Sequence, residues 1–326
     1  SLHGITGVLE NNMMDMSLMA LSHFPMLNTL ELTPAMYLGS CRYKLPDYTE
    51  DPAPYKQIFE RFEEYGISAF FYIGGNDSMD TVLKLSNYAK SIQSDVKIIG
   101  VPKTIDNDLF ATDHTPGFGS AAKYVASTVL EIAHDAYIYK IPAVIIIEIM
   151  GRDAGWLTAS SALARTTYSQ APDLIYLPEV AFSKEQFLAD VKDKLTKQKT
   201  VIVAVSEGIH DADGNYISSD SAVADKFGHA QLSGAGKALE YLVRDEIGVK
   251  VRSIELNVLQ RCAGHIASRT DITESFSLGQ AAVKYAAEGK TGIMAAIERI
   301  SNDPYQWVIK SADVADIANE AKSVPV

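Results

Sequence analysis

Four short apolar runs fix the fold class of this chain: ISAFFYI at 67–73, VKIIGV at 96–101, AVIIIEIM at 143–150 and TVIVAV at 200–205. Each is rich in β-branched or aromatic residues and carries at most one charge. Strands of this kind need cover on both faces, which is the situation in a parallel sheet flanked by helices. The segments between them have helical apolar spacing. Residues 51–66 read as a helix stopped by Gly66, and 77–92 as a helix with Met79, Val82, Leu83 and Leu85 inward. Further helices are expected at 117–139, 154–164, 184–197, 232–248 and about 279–289, and further strands at 174–177 and 250–256. YQWVI (305–309) closes the pattern. Alternating strands and helices with crossover connections define an α/β protein with mostly parallel sheets. Ligands of such sheets bind at the carboxyl ends of the strands.

Chemistry-bearing residues stand at those ends. PKTIDNDLFATDHTPGFGS (102–120) follows VKIIGV and supplies Lys103, Thr104, Asp106, Asp108 and Asp113 before the next helix. A phosphoryl-transfer site uses such a set: a carboxylate accepts the proton of an attacking hydroxyl, and a lysine with a metal offsets charge on the moving group. A turn rich in Asx hydrogen bonds accounts for Asp106, Asn107 and Asp108, but not for the whole PKTIDND string. ISAFFYI runs into Gly74-Gly75-Asn76-Asp77-Ser78. Glycines before a helix N-terminus let backbone N–H groups approach an anion; the bland alternative is a tight turn. Arg152 after AVIIIEIM and Glu207 after TVIVAV are candidate ligand contacts, against readings as a helix-start surface arginine and a loop acid. Arg252 and Arg261 are guanidinium groups suited to bidentate phosphate binding.

PKTIDND closely resembles the catalytic loop of the phosphofructokinases. GGNDS (74–78), MGR (150–152), SEG (206–208) and QR (260–261) occur with it in that family's order and cover nearly the whole chain. The resemblance implies two Rossmann-like three-layer lobes with the active site in the cleft between them. Residues 1–120 plus 260–305 would form the pyrophosphate and magnesium lobe, and 121–259 plus 306–326 the sugar-phosphate lobe. It implies Asp106 as general base toward the C1 hydroxyl, Asp108 orienting that hydroxyl, and Thr104 and Lys103 at the transferring phosphoryl group. Fructose 6-phosphate would lie on Thr104, Ile105, Asp106, Met150, Gly151, Arg152, Glu207, Arg252 and Arg261. The donor phosphates would lie on Gly74, Gly75, Asp77, Ser78, Arg42 and Lys103, with Mg2+ near Asn76 and Asp77.

Asp77 and Lys103 bear on the donor. ATP-using members of the family usually carry glycine at both positions. A carboxylate at 77 repels and displaces a nucleotide's α-phosphate, and Lys103 supplies positive charge that pyrophosphate can use. The resemblance therefore implies a pyrophosphate-dependent enzyme of glycolysis, with an ATP-dependent 6-phosphofructokinase as the rival of the same fold. Asn76 departs from the family's aspartate and Ala143 from an arginine of its ATP members. The family's first strand and Gly-Gly loop have no counterpart before Leu2, and EAKSVPV is shorter than the family's end. Assembly as a homodimer or homotetramer, with Arg252 given to a neighbouring site, is the expectation.

Composition narrows the remaining classes. A length of 326 residues allows two lobes. A formal net charge of −12 argues against nucleic-acid or anionic-membrane binding. Two cysteines, Cys41 and Cys262, provide neither a disulfide framework nor a metal cluster and suit a reducing cytoplasm. No apolar run approaches the roughly 18 residues of a membrane span, and SLHGITGVLENNMMD has acidic residues where a signal peptide has an apolar stretch. A nicotinamide-binding Rossmann enzyme is disfavoured by the lack of GxGxxG after a strand. A non-catalytic regulatory subunit would be expected to lose the base or the lysine, and Asp106, Lys103 and Arg152 are all kept. Residues 209–231 read as a polar surface insertion without EF-hand spacing, and neither His114 nor His265 has an evident role.

Overall fold

The computed structural model describes residues 1–15, 30, 33, 36–218, 223–224, 230–231 and 234–326. In chain order its elements are α1 (Gly4–Leu9), α2 (Ala53–Glu64), β1 (Ala69–Gly74), α3 (Asn76–Ser91), β2 (Lys97–Pro102), α4 (Phe118–Tyr137), β3 (Ala143–Ile149), α5 (Trp156–Ser160), β4 (Leu174–Tyr176) and α6 (Lys184–Lys197). They continue with β5 (Thr200–Ser206), β6 (Val223–Ala224), β7 (Ala230–Gln231), α7 (Ala235–Glu246), β8 (Lys250–Glu255), α8 (Arg269–Ala287), β9 (Ile293–Asn302) and β10 (Tyr305–Asp313). Two compact units result. Unit 1 is Ser1–Thr104, Asp108–Gly119 and Ala267–Ala321; unit 2 is Ile105–Asn107, Ser120–Ile266 and Lys322–Val326.

Unit 1 is built on a four-stranded sheet of order β1-β2-β9-β10, parallel except for the β9–β10 hairpin. Its helices bury their apolar faces on opposite sides of that sheet. Tyr55, Ile58 and Phe62 of α2 and Met79, Val82 and Leu85 of α3 pack with Ile98 and Met294. Leu278 and Ala282 of α8 cover Ile99, Ala295 and Ile297. Unit 2 is built on a parallel sheet of order β4-β5-β3-β8. Val144 and Ile146 of β3 and Val201, Val203 and Val205 of β5 meet Phe187 and Val191 of α6 and Leu239 and Val243 of α7. The alternate residues Ile147, Ile149, Ile202 and Ala204 are equally buried. The runs of β3 and β5 are thus covered on both faces, as their composition requires.

Three expectations need correction. The helix expected at 279–289 starts ten residues earlier, at Arg269, because its buried face carries Asp271 and Glu274 where a hydrophobic period would announce it. β9 was absent from the expected pattern, and YQWVI is one arm of its hairpin. Residues 306–321 belong with unit 1 rather than with 121–259, because β10 pairs with β9 along its length. In the segment 209–231, Asp211 Oδ1 accepts the Asp213 and Asn215 N–H groups in a closed turn; residues 219–222 and 225–229 lie outside the described residues. Among the described residues no helix is long and apolar enough to cross a membrane.

Candidate active site

In unit 1, GGNDS and PKT meet at the carboxyl edge of the sheet. Gly74 pairs with Pro102 in the β1–β2 ladder, and the Lys103 N–H donates to the Gly74 carbonyl at 2.9 Å. Gly75 is the N-cap of α3 and has no side chain to close the helix end. A Cβ there would stand 3.5 Å from Thr104 Cβ, so the glycine keeps the space beside Thr104 open. A Cβ on Gly74 would lie 2.0 Å from Ser78 Oγ, which folds back over the strand end. The N-terminus of the 16-residue α3 adds the positive end of its dipole. Asp77, in the first helical turn, and Lys103 are both exposed. Arg42 is exposed and follows Cys41, whose thiol lies 3.6 Å from the Tyr72 hydroxyl on β1.

The donor set suits magnesium in one way only. Asn76 Oδ1 already accepts the Asn319 N–H at 3.0 Å, and its amide carries no charge. Asp77, exposed in the first turn of α3, is the charged oxygen donor of this pair. Among the described residues no group of three or more His, Cys, Asp or Glu could hold a metal. Mg2+ needs no such cage, since it commonly takes one or two protein oxygens and completes its octahedron with phosphates and water.

The PKTIDND loop is divided between the units. Lys103, Thr104 and Asp108 belong to unit 1; Ile105, Asp106 and Asn107 belong to unit 2. Thr104 is nearly buried, donates its N–H to the Pro116 carbonyl at 3.2 Å and accepts the Thr115 hydroxyl on its own carbonyl at 2.7 Å. Asn107 takes a left-handed φ of 56°, which asparagine tolerates better than most residues. The turn between the two aspartates therefore calls for the residue found there.

In unit 2, MGR and SEG leave adjacent strands. Ile149 pairs with Ser206, and the Glu207 N–H donates to the Ile149 carbonyl at 2.9 Å. Gly151 has a φ of 136°, and a Cβ on it would stand 2.5 Å from the Ala154 carbonyl oxygen. Only glycine fits there. Its N–H donates to Glu207 Oε1 at 3.2 Å, and the Ser206 hydroxyl donates to its carbonyl. The Met150 N–H meets Gln260 Oε1 at 3.4 Å, which draws the LQR segment to MGR. Arg261 ends that 3-10 turn and is exposed. Arg152 lines a cavity of about 220 Å³ together with Asp153, Pro178, His210, Gly214 and Tyr216. Arg252 does not join this cluster. It is exposed at the middle of β8, opposite Ile145 and five residues short of Met150 in register, about 16 Å along the strands.

Burial pushes the Glu207 carboxyl up to about 7, assisted by the negative charges of Asp106 and Glu148 and opposed by the Gly151 N–H and Arg152. Near neutrality such a carboxyl can both accept and donate hydrogen bonds. An acid whose pKa rises on folding destabilises the fold as it ionises, so its contribution to stability falls between the usual carboxylate range and pH 7. Glu207→Gln is expected to flatten that dependence, measured as Tm at about pH 5 and about pH 8. It is also expected to remove an ionisation near 7 from the kcat/KM profile for the sugar phosphate.

One contact was missed from sequence. Lys322 Nζ donates to Asn107 Oδ1 at 3.4 Å and lies over the Trp156 ring at 5.5 Å, while Trp156 Nε1 donates to the Lys322 carbonyl at 2.7 Å. Val324 N–H is taken by Glu179 at 2.9 Å. Lys322 is thereby a cation beside the TIDND loop, 215 residues from its partner in sequence.

The family model described as Phosphofructokinase matches residues 1–286, and the chain belongs to the phosphofructokinase family. The chain is 42% identical to pyrophosphate–fructose 6-phosphate 1-phosphotransferase of Xanthomonas campestris pv. campestris (strain B100), over 99% of this chain and 77% of that protein. It is 38% identical to the protein of the same name from Halomonas elongata, with the same two coverages. Among solved structures, pyrophosphate-dependent phosphofructokinase from Marinobacter aquaeolei superposes with a TM-score of 0.86 at 36% identity, covering 99% of this chain and 75% of that one.

Proposed function

We propose that this chain is a phosphotransferase that moves a phosphoryl group from pyrophosphate to the 1-hydroxyl of fructose 6-phosphate. The products are fructose 1,6-bisphosphate and phosphate, and the reaction runs in both directions. The observation that carries the donor assignment is the placing of Lys103 and Asp77 at one sheet edge: Lys103 is bonded to Gly74, and Asp77 lies in the first turn of the helix that Gly75 caps. A nucleotide must seat an α-phosphate against a carboxylate there, whereas pyrophosphate has none to seat. The names of the relatives point to the same reaction.

In this reading Asp106 takes the proton of the 1-hydroxyl, whose oxygen forms a bond to the nearer phosphorus as the bond to the leaving phosphate breaks. Lys103 and the Thr104 hydroxyl hold the oxygens that gain charge. Asp108 orients the hydroxyl. Met150, Gly151, Arg152, Glu207 and Arg261 hold the sugar phosphate. Bound Mg2+ would be held by Asp77 and Asn76 and would neutralise phosphate charge. Arg252, remote from MGR within one chain, suits donation to a neighbour's site in a homodimer or homotetramer, and the chain works in the cytoplasm.

Steady-state assays with pyrophosphate and with ATP as donors test the proposal. Turnover of fructose 6-phosphate with pyrophosphate and little with ATP is expected. Preference for ATP would move the chain to the ATP-dependent branch, and inactivity of the full-length protein with both would reduce it to a binding subunit.

A further inference from the structure

His114 stands between two carboxylates in the turn that follows the PKTIDND loop. Nδ1 is 2.7 Å from Asp113 Oδ2, and Nε2 is 2.7 Å from Glu274 Oε2 on α8. Only the doubly protonated ring donates at both nitrogens. Glu274 is fully buried and also accepts the Tyr305 hydroxyl from β10. Asp113 is gripped by Arg299 of β9, with Nη2 at 2.7 Å and Nε at 3.1 Å. Two carboxylates thus face a guanidinium and an imidazole, and the group is neutral only while the imidazole is charged. Asp271, one turn before Glu274 on α8, accepts the Gly117 N–H at 2.9 Å.

The turn so held is the support of Thr104. Thr112 Oγ1 accepts the Ile297 N–H at 3.0 Å and donates to the His114 carbonyl at 2.9 Å; the Asp113 N–H donates to the Ile297 carbonyl at 2.9 Å. Thr115 and Pro116 then bond the Thr104 backbone on both sides. Every one of these residues lies in unit 1.

We infer that His114 is a positioning residue for phosphoryl transfer: by bridging Asp113 and Glu274 it clamps the 112–117 turn to α8 and the β9–β10 hairpin, and the turn in turn fixes Thr104 and Lys103. Burial disfavours a charge on the ring, but the hydrogen bonds and charges of Glu274 and Asp113 outweigh it and raise the pKa above the usual histidine value. The clamp is therefore complete below the ordinary histidine range and is lost as pH climbs through the raised value. The kinetic consequence rests on the proposed activity; the clamp itself does not.

Two measurements on the full chain separate them. Histidine-selective 15N NMR is expected to show His114 losing its second ring proton at a higher pH than a free histidine does, and Glu274→Gln is expected to return the midpoint toward the free value. A midpoint at or below that of a free histidine overturns the clamp. In kinetics with pyrophosphate, His114→Gln is expected to lower kcat by about tenfold to a hundredfold, the size of a small misplacement of catalytic groups. KM for the sugar phosphate stays within about twofold, because uniform binding is untouched. The alkaline fall of wild-type kcat that follows His114 disappears in the variant. An unchanged kcat, or an equal loss through KM, overturns the positioning role. If the wild type turns over no pyrophosphate, the proposed activity fails, while the NMR titration and amide exchange at Thr104 in His114→Gln still decide whether the clamp exists.

Discussion

Asp106→Asn is expected to lower kcat for phosphoryl transfer by about 10²–10⁴-fold, the contribution of a well-placed general base. Asparagine keeps the size of the side chain and loses the proton acceptor, so KM for the sugar phosphate should change little. A second readout comes from the site itself. The charge of Asp106 is one of the causes that raise the Glu207 carboxyl. Removing it should move the Glu207 ionisation to lower pH, seen by titration of the variant in parallel with the wild type. Retention of kcat within about tenfold, short of the roughly hundredfold that is the least a base contributes, would remove Asp106 from the role.

Asp77→Gly, alone or with Lys103→Gly, is expected to admit ATP, raising kcat/KM with that donor by about 10²-fold. A like-charge juxtaposition costs several kcal/mol, and each 1.4 kcal/mol is tenfold. The double variant should lose most of its rate with pyrophosphate, by about 10²–10³-fold if Lys103 stabilises the transition state as an oxyanion-type donor does. Asp77 also has a structural part, since an acid in the first turn complements the dipole of α3 by about 0.3–1 kcal/mol. Asp77→Asn tests charge apart from bulk. Should neither variant use ATP at all, exclusion by Asp77 is not what selects the donor.

How much of this was legible in the chain follows from where each residue finds its partner. β2, β3 and β5 were readable because a strand buried on both faces has a composition of its own, and β1 shares that apolar composition although most of its residues are only partly buried. GGNDS, PKT, MGR and SEG were readable because each begins where such a strand ends. α8 was half hidden, since its first turns bury Asp271 and Glu274 and show no apolar stripe. β9 was hidden by IMAAIERISN, whose two alanines and adjacent Glu298-Arg299 serve a helix as well as a strand. The roles of His114 and Lys322 could not be found by local pattern, because Glu274 and Asn107, to which they bond, lie 160 and 215 residues away. Arg252 was found as a residue but its remoteness from MGR was not, because that depends on the register of β8 against β3.

The two crossings within the PKTIDND loop bear on how such a protein could be dismantled. Asp106 and Lys103 fall on opposite sides of the Thr104–Ile105 junction, and each unit is assembled from three separate stretches of chain. Neither can be excised as a continuous fragment of the chain, so any attempt to express one alone must rejoin segments that the sequence keeps apart.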